Sequence, residues 1–563
     1  QVDVGGLLAS TLSMTADDFM AGRYSLRNAG SAASVVNQGS IKGRSVVLVG
    51  PRVVNEGTIE AQSGTIALTA ANAATLDLMA DGLVQIRVDQ GTVAAEVANS
   101  GLLRADGGAV TLTAKSLDNL ARSVVNHSGI IEARGVQNVG GVVRLLGDHV
   151  AVLDGARIDA SGDTGGGQVL IGGNFQGRGP EMNATATYVA PTASIAANAT
   201  ARGDGGRVIV WSDEVTRSYG AISARGGPLG GDGGFVETSS HGSLLQSGAP
   251  DVSAPRGLAG MWLIDPTSVT VVSGNVSLIT SGLFDPAISS NIGDADINAA
   301  LITGNVTIQT NTAGSGGNGD IIINGTSDTG GAAAIASTGS LGRALTLNAA
   351  GSINMHSGAS ITSLLGPLGV TLNPVGSSTI AGSMDLKGGT LSYSGPLTLA
   401  SSGTVANATV SGASVFTSNG GVLDSVTIGS SLTYAANSSS TIRNNLTIGS
   451  GLTLDLGNST LYFSTNDSHL KASSGSATVN LAGGSLYGSA GGGAQNFTID
   501  AGVTVQGYGT LSHYFGSPIT NAGTIIANTS GQQFYIAADT FTNSGTLDVT
   551  AGTMYVAPTT FTN

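Results

Sequence analysis

Four aspartates that stand beside glycines are the residues of this chain closest in type to a catalytic site. They are Asp159, Asp163, Asp204 and Asp232. Two carboxylates that face each other across a groove can act as general acid and general base on a glycosidic bond. Each of the four, however, lies in a turn-like phrase, where aspartate is favoured because its side chain hydrogen-bonds the local backbone. We therefore favour turn-forming aspartates, and a polysaccharide-cleaving enzyme is kept as an alternative.

Histidines, glycine-rich phrases and cysteines give no metal or cofactor site. The chain has six histidines, His127, His149, His241, His356, His469 and His513, and their spacing is not that of metal ligands. No His-Glu-x-x-His motif is present. The GGDGG phrase at residues 230–234 matches the calcium-binding nonapeptide only in part and does not repeat in tandem. The chain has no cysteine, which excludes thiolate ligands and thiol catalysis. We expect no metal, no cofactor and no catalytic residue.

The two tryptophans allow two interpretations. Trp211 follows Val-Ile-Val, and Trp262 lies within Met-Trp-Leu-Ile. Either ring could serve as a platform on which a sugar stacks, but burial is the commoner use of an aromatic ring in an apolar phrase. We predict that both tryptophans pack inside the protein. Exposed ladders of Thr, Ser and Asn on flat faces are then the better candidates for broad adhesion.

Composition favours a repeat protein. The chain has 563 residues, of which 87 are glycine, 10% are charged and 4% are aromatic, and its mean hydropathy is +0.22. A single compact core stops growing well before this length. Disorder is a poor alternative, because disordered chains lack the aliphatic residues that recur here. A glycine-rich, β-branched and weakly charged sequence suits thin stacked β-coils, which must be stable without disulfides.

Charge and hydropathy limit the partners. The net charge is −14 at pH 7 and the pI is near 4.7, so nucleic acid is not an expected partner. No apolar run reaches the roughly 18 residues that span a membrane.

No signal peptide is visible at Gln1, so a targeting segment of a secreted protein would lie upstream. The last residues fall inside a repeat, and we expect the natural chain to continue beyond Asn563.

A short phrase, aliphatic-Asn-x-Gly-x-aliphatic, recurs along the chain. Its spacing is 18 residues from Asn37 to Asn55 and 22 from Asn521 to Asn543. A period of roughly 20 residues predicts a solenoid. Asn and Gly tolerate left-handed backbone and make a corner, and the alternation that follows makes a strand. We expect stacked asparagines to form amide ladders. The structural repeat positions are Asn37, Asn55, Asn99, Asn126, Asn521 and Asn543.

The repeat character changes along the chain and predicts four regions. Residues 1–34 resemble the end of a secretion domain, and residues 35–260 form a β-solenoid with Asn-x-Gly and glycine-rich repeats. Residues 261–335 form a less regular β segment. Residues 336–563 form a second solenoid rich in Ser, Thr and Asn. Helices are expected to be scarce.

Three sets of phrases carry a family resemblance. The first is VGGLLASTL at 4–12 with FMAGRY at 19–24, and the second is the Asn-x-Gly repeat. The third is GDGGRVIVW at 203–211, followed by SARGG at 223–227, DGGFVETS at 232–239 and WLIDP at 262–266. In this order they resemble the exoproteins of two-partner secretion, the filamentous-haemagglutinin-like adhesin family. The resemblance covers about residues 1–350, and beyond that only the repeat type is similar. The Asn-Pro-Asn motifs of that family are absent, so no residue is assigned as its secretion signal.

The resemblance implies a fold, a location and a function. The fold is all-β: an elongated right-handed parallel β-helix with a less regular insertion near the middle. The location is extracellular or at the bacterial outer surface, reached through an outer-membrane β-barrel secretion partner. The function is that of an adhesin or fibre shaft that attaches to host or neighbouring cells, surfaces, glycans or biofilm matrix. A subunit that self-associates into an extracellular filament is the main alternative, because low charge and open coil ends favour it.

Asn-x-Ser/Thr acceptor motifs are a further feature of the chain, and N-glycosylation on them is a hypothesis. The candidate sites are Asn275, Asn305, Asn324, Asn407, Asn445, Asn458, Asn496 and Asn528.

Overall fold

A computed structural model describes residues 1–78, 84–117, 124–136, 140–278, 282–285, 289–312, 317–412, 414–488, 496–513 and 516–563. These residues form parallel β-helical coils almost throughout, which confirms the expected all-β fold class. The chain divides into two compact units, Gln1–Val269 with Gly274–Asn318 and Thr270–Ser273 with Gly319–Asn563. The division falls within the predicted less regular range, 261–335, rather than at its edges.

The first unit repeats three strands in each coil, and equivalent strands of successive coils pair in parallel. The strands of sheet I are Ser34–Asn37, Arg52–Asn55, Glu96–Asn99, Val124–His127, His149–Val152, Ala186–Val189, Val215–Ser218, Ser243–Gln246 and Asn291–Gly293. The strands of sheet II are Val2–Asp3, Ser40–Lys42, Thr58–Glu60, Leu102–Arg104, Ile130–Glu132, Arg157–Asp159, Ser194–Ala196 and Ala221–Ser223. The strands of sheet III are Gly6–Ser10, Ser45–Gly50, Thr65–Ala70, Ala109–Ala114, Val142–Leu146, Gln168–Ile171, Arg207–Val210, Phe235–Ser239, Met261–Asp265 and Asn305–Gln309.

Aliphatic side chains stack in register inside the coils and form the core. In sheet II, Ile59 pairs with Leu103 and Leu103 with Ile131, and all three are fully buried. Alternation along each strand sends every second side chain inward, and β-branched residues pack well on such a surface. One fully buried column of sheet III runs through Val46, Ile66, Val110, Val143, Val169, Val208, Val236, Trp262 and Val306.

Some sheet III strands are apolar on both faces and need a cover on the outside. Strand Ser45–Gly50 is buried along its whole length. An antiparallel sheet of Ser25–Arg27, Ala73–Leu78 and Val84–Gln90 supplies Leu26 and Leu76, which cluster with Val47 and Val49. The helical segments are α1 (Ala16–Met20), α2 (Asp294–Thr303) and a 3-10 turn at Phe175–Gly177. None of the described helices is long and apolar enough to cross a membrane.

The second unit begins with three short strands per coil and continues with longer strands that bend at β-bulges. Inward residues are mostly aliphatic, and outward residues are mostly Ser, Thr and Asn, as the alternation predicts. Strand Val269–Val272 crosses the division between the units. The other strands are Ile321–Ile323, Ala334–Ser337, Arg343–Ala349, Ile353–Met355, Ser360–Ser363, Leu368–Pro374, Ser378–Ile380, Ser383–Asp385, Thr390–Tyr393, Leu397–Leu399, Thr404–Ala406, Thr409–Gly412, Phe416–Ile428, Leu432–Thr433, Ser439–Ile448, Thr453–Gly457, Thr460–Phe463, Ser468–Ala472, Ala477–Gly488, Phe497–Ile499, Val503–His513, Ile519–Asn521, Thr524–Ala537, Thr540–Asn543, Thr546–Val556 and Thr560–Thr562.

Candidate functional site

Buried asparagine ladders fix the register of the coils. Asn37 Nδ2 donates to Asn55 Oδ1 over 2.7 Å, and Asn55 Nδ2 donates to Asn99 Oδ1 over 2.7 Å. In the second unit Asn521 donates to Asn543 over 2.8 Å, and Asn543 donates to Asn563. Side-chain amides suit this position because each can donate to one coil and accept from another.

The glycines two residues after Asn55, Asn99 and Asn543 are required by the close approach of the coils. A Cβ on Gly57 would lie 2.1 Å from the carbonyl oxygen of Gly39, and one on Gly101 would lie 2.0 Å from that of Gly57. The same spacing recurs where Gly545 meets the carbonyl oxygen of Gly523, at 2.0 Å. These three Asn-x-Gly phrases therefore each supply one ladder amide and one glycine that leaves space for the neighbouring backbone.

Asn126 does not belong to the ladder, and its assignment as a repeat asparagine is wrong. In sheet I, Asn99 pairs with His127, while Asn126 pairs with Ala98 and Ala151 and faces outward. The glycine here follows Asn126 by three residues instead of two, so alternation turns His127 inward. Asn99 Nδ2 lies 3.2 Å from His127 Nδ1, and burial lowers the pKa of His127 to about 4.

Asp159 and Asp163 have structural partners. Asp159 Oδ1 accepts the backbone N–H of Ser161, and its other oxygen lies 3.2 Å from Arg134 Nε. Burial alone would raise its pKa, but these hydrogen bonds and the nearby arginines hold the pKa below its usual value. Asp163 accepts the hydroxyl of Thr200 on the next coil.

Asp204 and Asp232 line a shallow groove of about 740 Å³ whose floor is built from glycines of successive coils. Asp204 Oδ1 accepts the backbone N–H of Asp232 over 2.7 Å, and Asp232 Oδ1 accepts that of Leu258 over 2.8 Å. Each carboxylate thus ties one coil to the next. Asp159 and Asp163 do not line this groove, so the structure does not bring the four aspartates together.

Both tryptophans are fully buried, as the packing interpretation predicts, and sugar stacking on them is excluded. Trp211 clusters with Leu170 and Ile209 on the outer side of sheet III and is covered by the segment that contains Gly173 and Gly177. Trp262 takes its place in the inward column of sheet III, and its indole N–H donates to the hydroxyl of Thr238 over 3.0 Å.

A buried carboxylate pair on the outer side of sheet III was not predicted from the sequence. Glu237 is fully buried and accepts the backbone N–H of Gln176 over 3.1 Å, and Asp265 accepts the amide of Gln309 over 3.0 Å. Burial raises the pKa of both carboxyls, that of Glu237 to about 8. Strand alternation places the side chain of Glu237 on the outer face, where a glutamate is normally solvated. Here the turn Phe175–Gly177 covers it, and Gln176 of this turn lies 61 residues earlier in the sequence.

Most, but not all, glycosylation candidates are accessible. Five are exposed: Asn275, Asn407, Asn458, Asn496 and Asn528. Asn305 and Asn445 are half-buried in strands. Asn324 is 4% exposed and donates its amide N–H to Thr329 O over 2.8 Å, so the folded chain does not present it to a transferase.

The outer faces of the second unit carry hydroxyl and aromatic ladders. One column places five threonines on successive coils: Thr453, Thr478, Thr504, Thr524 and Thr546. Tyr462 and Tyr487 stack with ring centroids 5.6 Å apart, and Tyr535 and Tyr555 stack at 5.2 Å. Such faces present many equivalent polar groups at one strand spacing, about 4.8 Å.

Among the described residues, no group of three or more His, Asp or Glu side chains is placed to hold a metal ion. A scan against models of protein families finds no match to this chain, and no curated protein matches it.

Proposed function

We propose that this chain is the shaft of a secreted bacterial adhesin, which works by binding rather than by catalysis. The observation that carries the proposal is the regular outward ladder of the second unit, where five threonines occupy one column on successive coils. Repetition of one weak polar contact at a fixed spacing gives avidity for a repetitive surface without any single binding residue.

The surroundings of the carboxylates also support binding over catalysis. Asp204 and Asp232 accept backbone N–H groups of the next coil, and Asp159 is engaged by arginines and by Ser161. A general acid or base needs a carboxyl that is free to exchange a proton with substrate. Carboxylates that already accept hydrogen bonds from the neighbouring coil are better suited to holding coils together than to proton transfer.

The expected targets are host or neighbouring cells, glycans and biofilm matrix, and an outer-membrane β-barrel would be the secretion partner. These expectations come from the resemblance of residues 203–211 and 232–239 to filamentous-haemagglutinin-like adhesins. The net charge of −14 is compatible with neutral or cationic surfaces and unfavourable for polyanions.

Attachment of cells tests this proposal. A bacterium that displays the chain is compared with an isogenic strain that lacks it, on glass, on cultured epithelial cells and on polysaccharide coatings. We expect the displaying strain to be retained several-fold better on at least one of these surfaces. Equal retention on all of them would refute the adhesin function.

The alternative of a polymeric filament subunit makes a different prediction, because exposed strand edges pair with other strands. Electron microscopy of native protein released from cells distinguishes the two. Particles of one uniform length support a monomeric shaft, whereas filaments of indefinite length would replace it with the polymer.

A further inference from the structure

The second unit contains a face on which hydroxyl groups and tyrosine rings form adjacent columns. Strand pairing places Ser439, Thr460, Ser485, Thr510, Tyr535 and Tyr555 in the first column. It places Thr441, Tyr462, Tyr487, Ser512 and Ala537 in the second. The residues between the two columns, Leu461, Leu486, Leu511 and Ile536, are fully buried, so both columns face outward.

The two columns differ in height. On three successive coils the first column carries the small side chains Thr460, Ser485 and Thr510. The second column carries the large ring of Tyr462 on the coil of Thr460 and that of Tyr487 on the coil of Ser485. The next residue of the first column after Thr510 is Tyr535, whose ring closes that end of the row of small side chains. Three hydroxyls thus form a floor, with tyrosine rings along one side and at one end.

A fourth tyrosine, Tyr508, borders the floor on the side opposite Tyr462 and Tyr487. Tyr508 precedes Thr510 by two residues, and the space it uses is left by Gly483 on the preceding coil. A Cβ on Gly483 would lie 3.5 Å from Tyr508 Cε2 and 4.0 Å from its Oη, so the ring extends over that glycine. Gly483 has a φ of +93°, a conformation that favours glycine at this bulge.

We propose that this surface, the tyrosine trough, binds a chain of neutral sugars. The trough is defined as Thr460, Ser485 and Thr510 with Tyr462, Tyr487, Tyr508 and Tyr535. Tyr462 and Tyr487 stack on each other with ring centroids 5.6 Å apart, so ring edges and hydroxyls are the groups that they offer to a ligand. Sugars present apolar C–H groups that contact aromatic side chains, and hydroxyls that exchange hydrogen bonds with Ser, Thr and Tyr. The repeat of the floor, about 4.8 Å per coil, is comparable to the length of one hexose unit.

Charge decides between neutral and acidic polysaccharides. Neither column contains Asp, Glu, Lys or Arg, and the protein as a whole is strongly acidic. A uronic-acid or sulfated polymer would find no cation in the trough to offset the removal of its charges from water. The proposal rests on the binding function proposed above and specifies its ligand class.

Retention of the purified full-length chain on insoluble polysaccharides tests the trough. Cellulose, chitin and a β-1,3-glucan gel are the neutral probes, and alginate is the acidic one. The test variant is Tyr462→Ala with Tyr487→Ala, and the matched control is Thr346→Ala with Thr371→Ala, a paired outward position on earlier coils of the second unit. Ser485→Asp is a second test variant, because it alters the floor without removing a ring. Circular dichroism checks the fold of each variant.

We expect the wild-type chain and the threonine control to bind at least one neutral probe and to bind alginate much less. Loss of both tyrosines should weaken that binding by about tenfold or more, given the energy of ring contacts. Failure of the wild type to bind any neutral probe, equal binding by the tyrosine variant and the control, or equal binding to alginate would each overturn the trough.

Cell attachment distinguishes a failure of the tyrosine trough from a failure of the adhesin function. A displaying strain that attaches equally well with wild-type and Tyr462→Ala/Tyr487→Ala chains would leave the adhesin function standing and remove the trough as its site. A strain that does not attach at all would remove the function itself.

Discussion

Substitution of Asn55 by alanine tests whether the amide ladder holds the first coils in register. Asn55 is fully buried, accepts from Asn37 and donates to Asn99, both over 2.7 Å. Alanine leaves the amide of Asn37 with only its 3.3 Å contact to Gly39 O and leaves Asn99 Oδ1 without this donor. An unsatisfied buried group costs about 1–3 kcal/mol. Because Asn37 keeps a weak contact, its loss is the smaller of the two, and we expect a total cost of about 2–4 kcal/mol.

Hydrogen exchange measured by mass spectrometry reports this loss locally in the full-length chain. The relevant amides are those of Gly101 and Leu102, which donate to Asn55 O and Gly57 O. A loss of about 2–4 kcal/mol should accelerate their exchange roughly 30- to 700-fold. The matched control is Asn126→Ala, whose side chain faces outward and which should change exchange by no more than about twofold. Equal exchange in the two variants would refute the ladder's role in holding the register.

Three further predictions concern the first unit. Burial lowers the pKa of His127 to about 4. As the pH falls below about 6.5 the unfolded chain binds a proton that the folded chain does not, so His127 should contribute a loss of stability of about 2 kcal/mol between pH 7 and 5. Because Glu237 acts in the opposite direction over this range, denaturant titrations should show the His127 contribution as the difference in pH dependence between the wild type and His127→Asn. Gly101→Ala would place a Cβ 2.0 Å from Gly57 O and should cost about 1–3 kcal/mol, whereas Gly5→Ala meets nothing within 4 Å and should leave the melting temperature unchanged. Burial raises the pKa of Glu237 to about 8, so the folded chain retains a proton that the unfolded chain loses above about pH 4.5. Glu237 should therefore contribute a loss of stability as the pH rises from 4.5 to 8, and a Glu237→Gln variant whose melting temperature kept the same pH slope as the wild type would contradict this assignment.

The asparagine ladder could be predicted because its signal is local. Asn37, Asn55 and Asn99 each precede a glycine by two residues, and this spacing fixes both the corner and the inward direction of the amide. The same rule, applied strictly, selects His127 instead of Asn126. Asn126 precedes its glycine by three residues instead of two, and a shift of one residue along a strand moves a side chain to the opposite face. The prediction for Asn126 was therefore wrong although its residue type fits the repeat.

The buried carboxylates could not be predicted from the sequence because their cover comes from an insertion. Alternation places Glu237 on the outer side of its strand, where solvent would normally surround it. The backbone N–H that it accepts belongs to Gln176, 61 residues earlier and two coils away. No periodic pattern connects a strand residue to an irregular turn at that distance.

The tyrosine trough was hidden by variation in coil length. Tyr487 follows Tyr462 by 25 residues, and Tyr535 follows Tyr487 by 48 residues and lies in the other column. Bulges near Gly483 and Gly507 shift the register, so residues that share a face are not evenly spaced in the chain. Strand pairing had to be known before the rings could be assigned to one surface.

The most direct test of the binding function is the retention of chain-coated beads under flow. Beads that carry the purified chain are passed over a neutral polysaccharide coating and over epithelial cells, beside beads coated with albumin. We predict that chain-coated beads are retained at shear that removes albumin beads, and that soluble neutral polysaccharide releases them from the coating. Retention no greater than that of albumin beads on every surface would contradict a binding function for this protein.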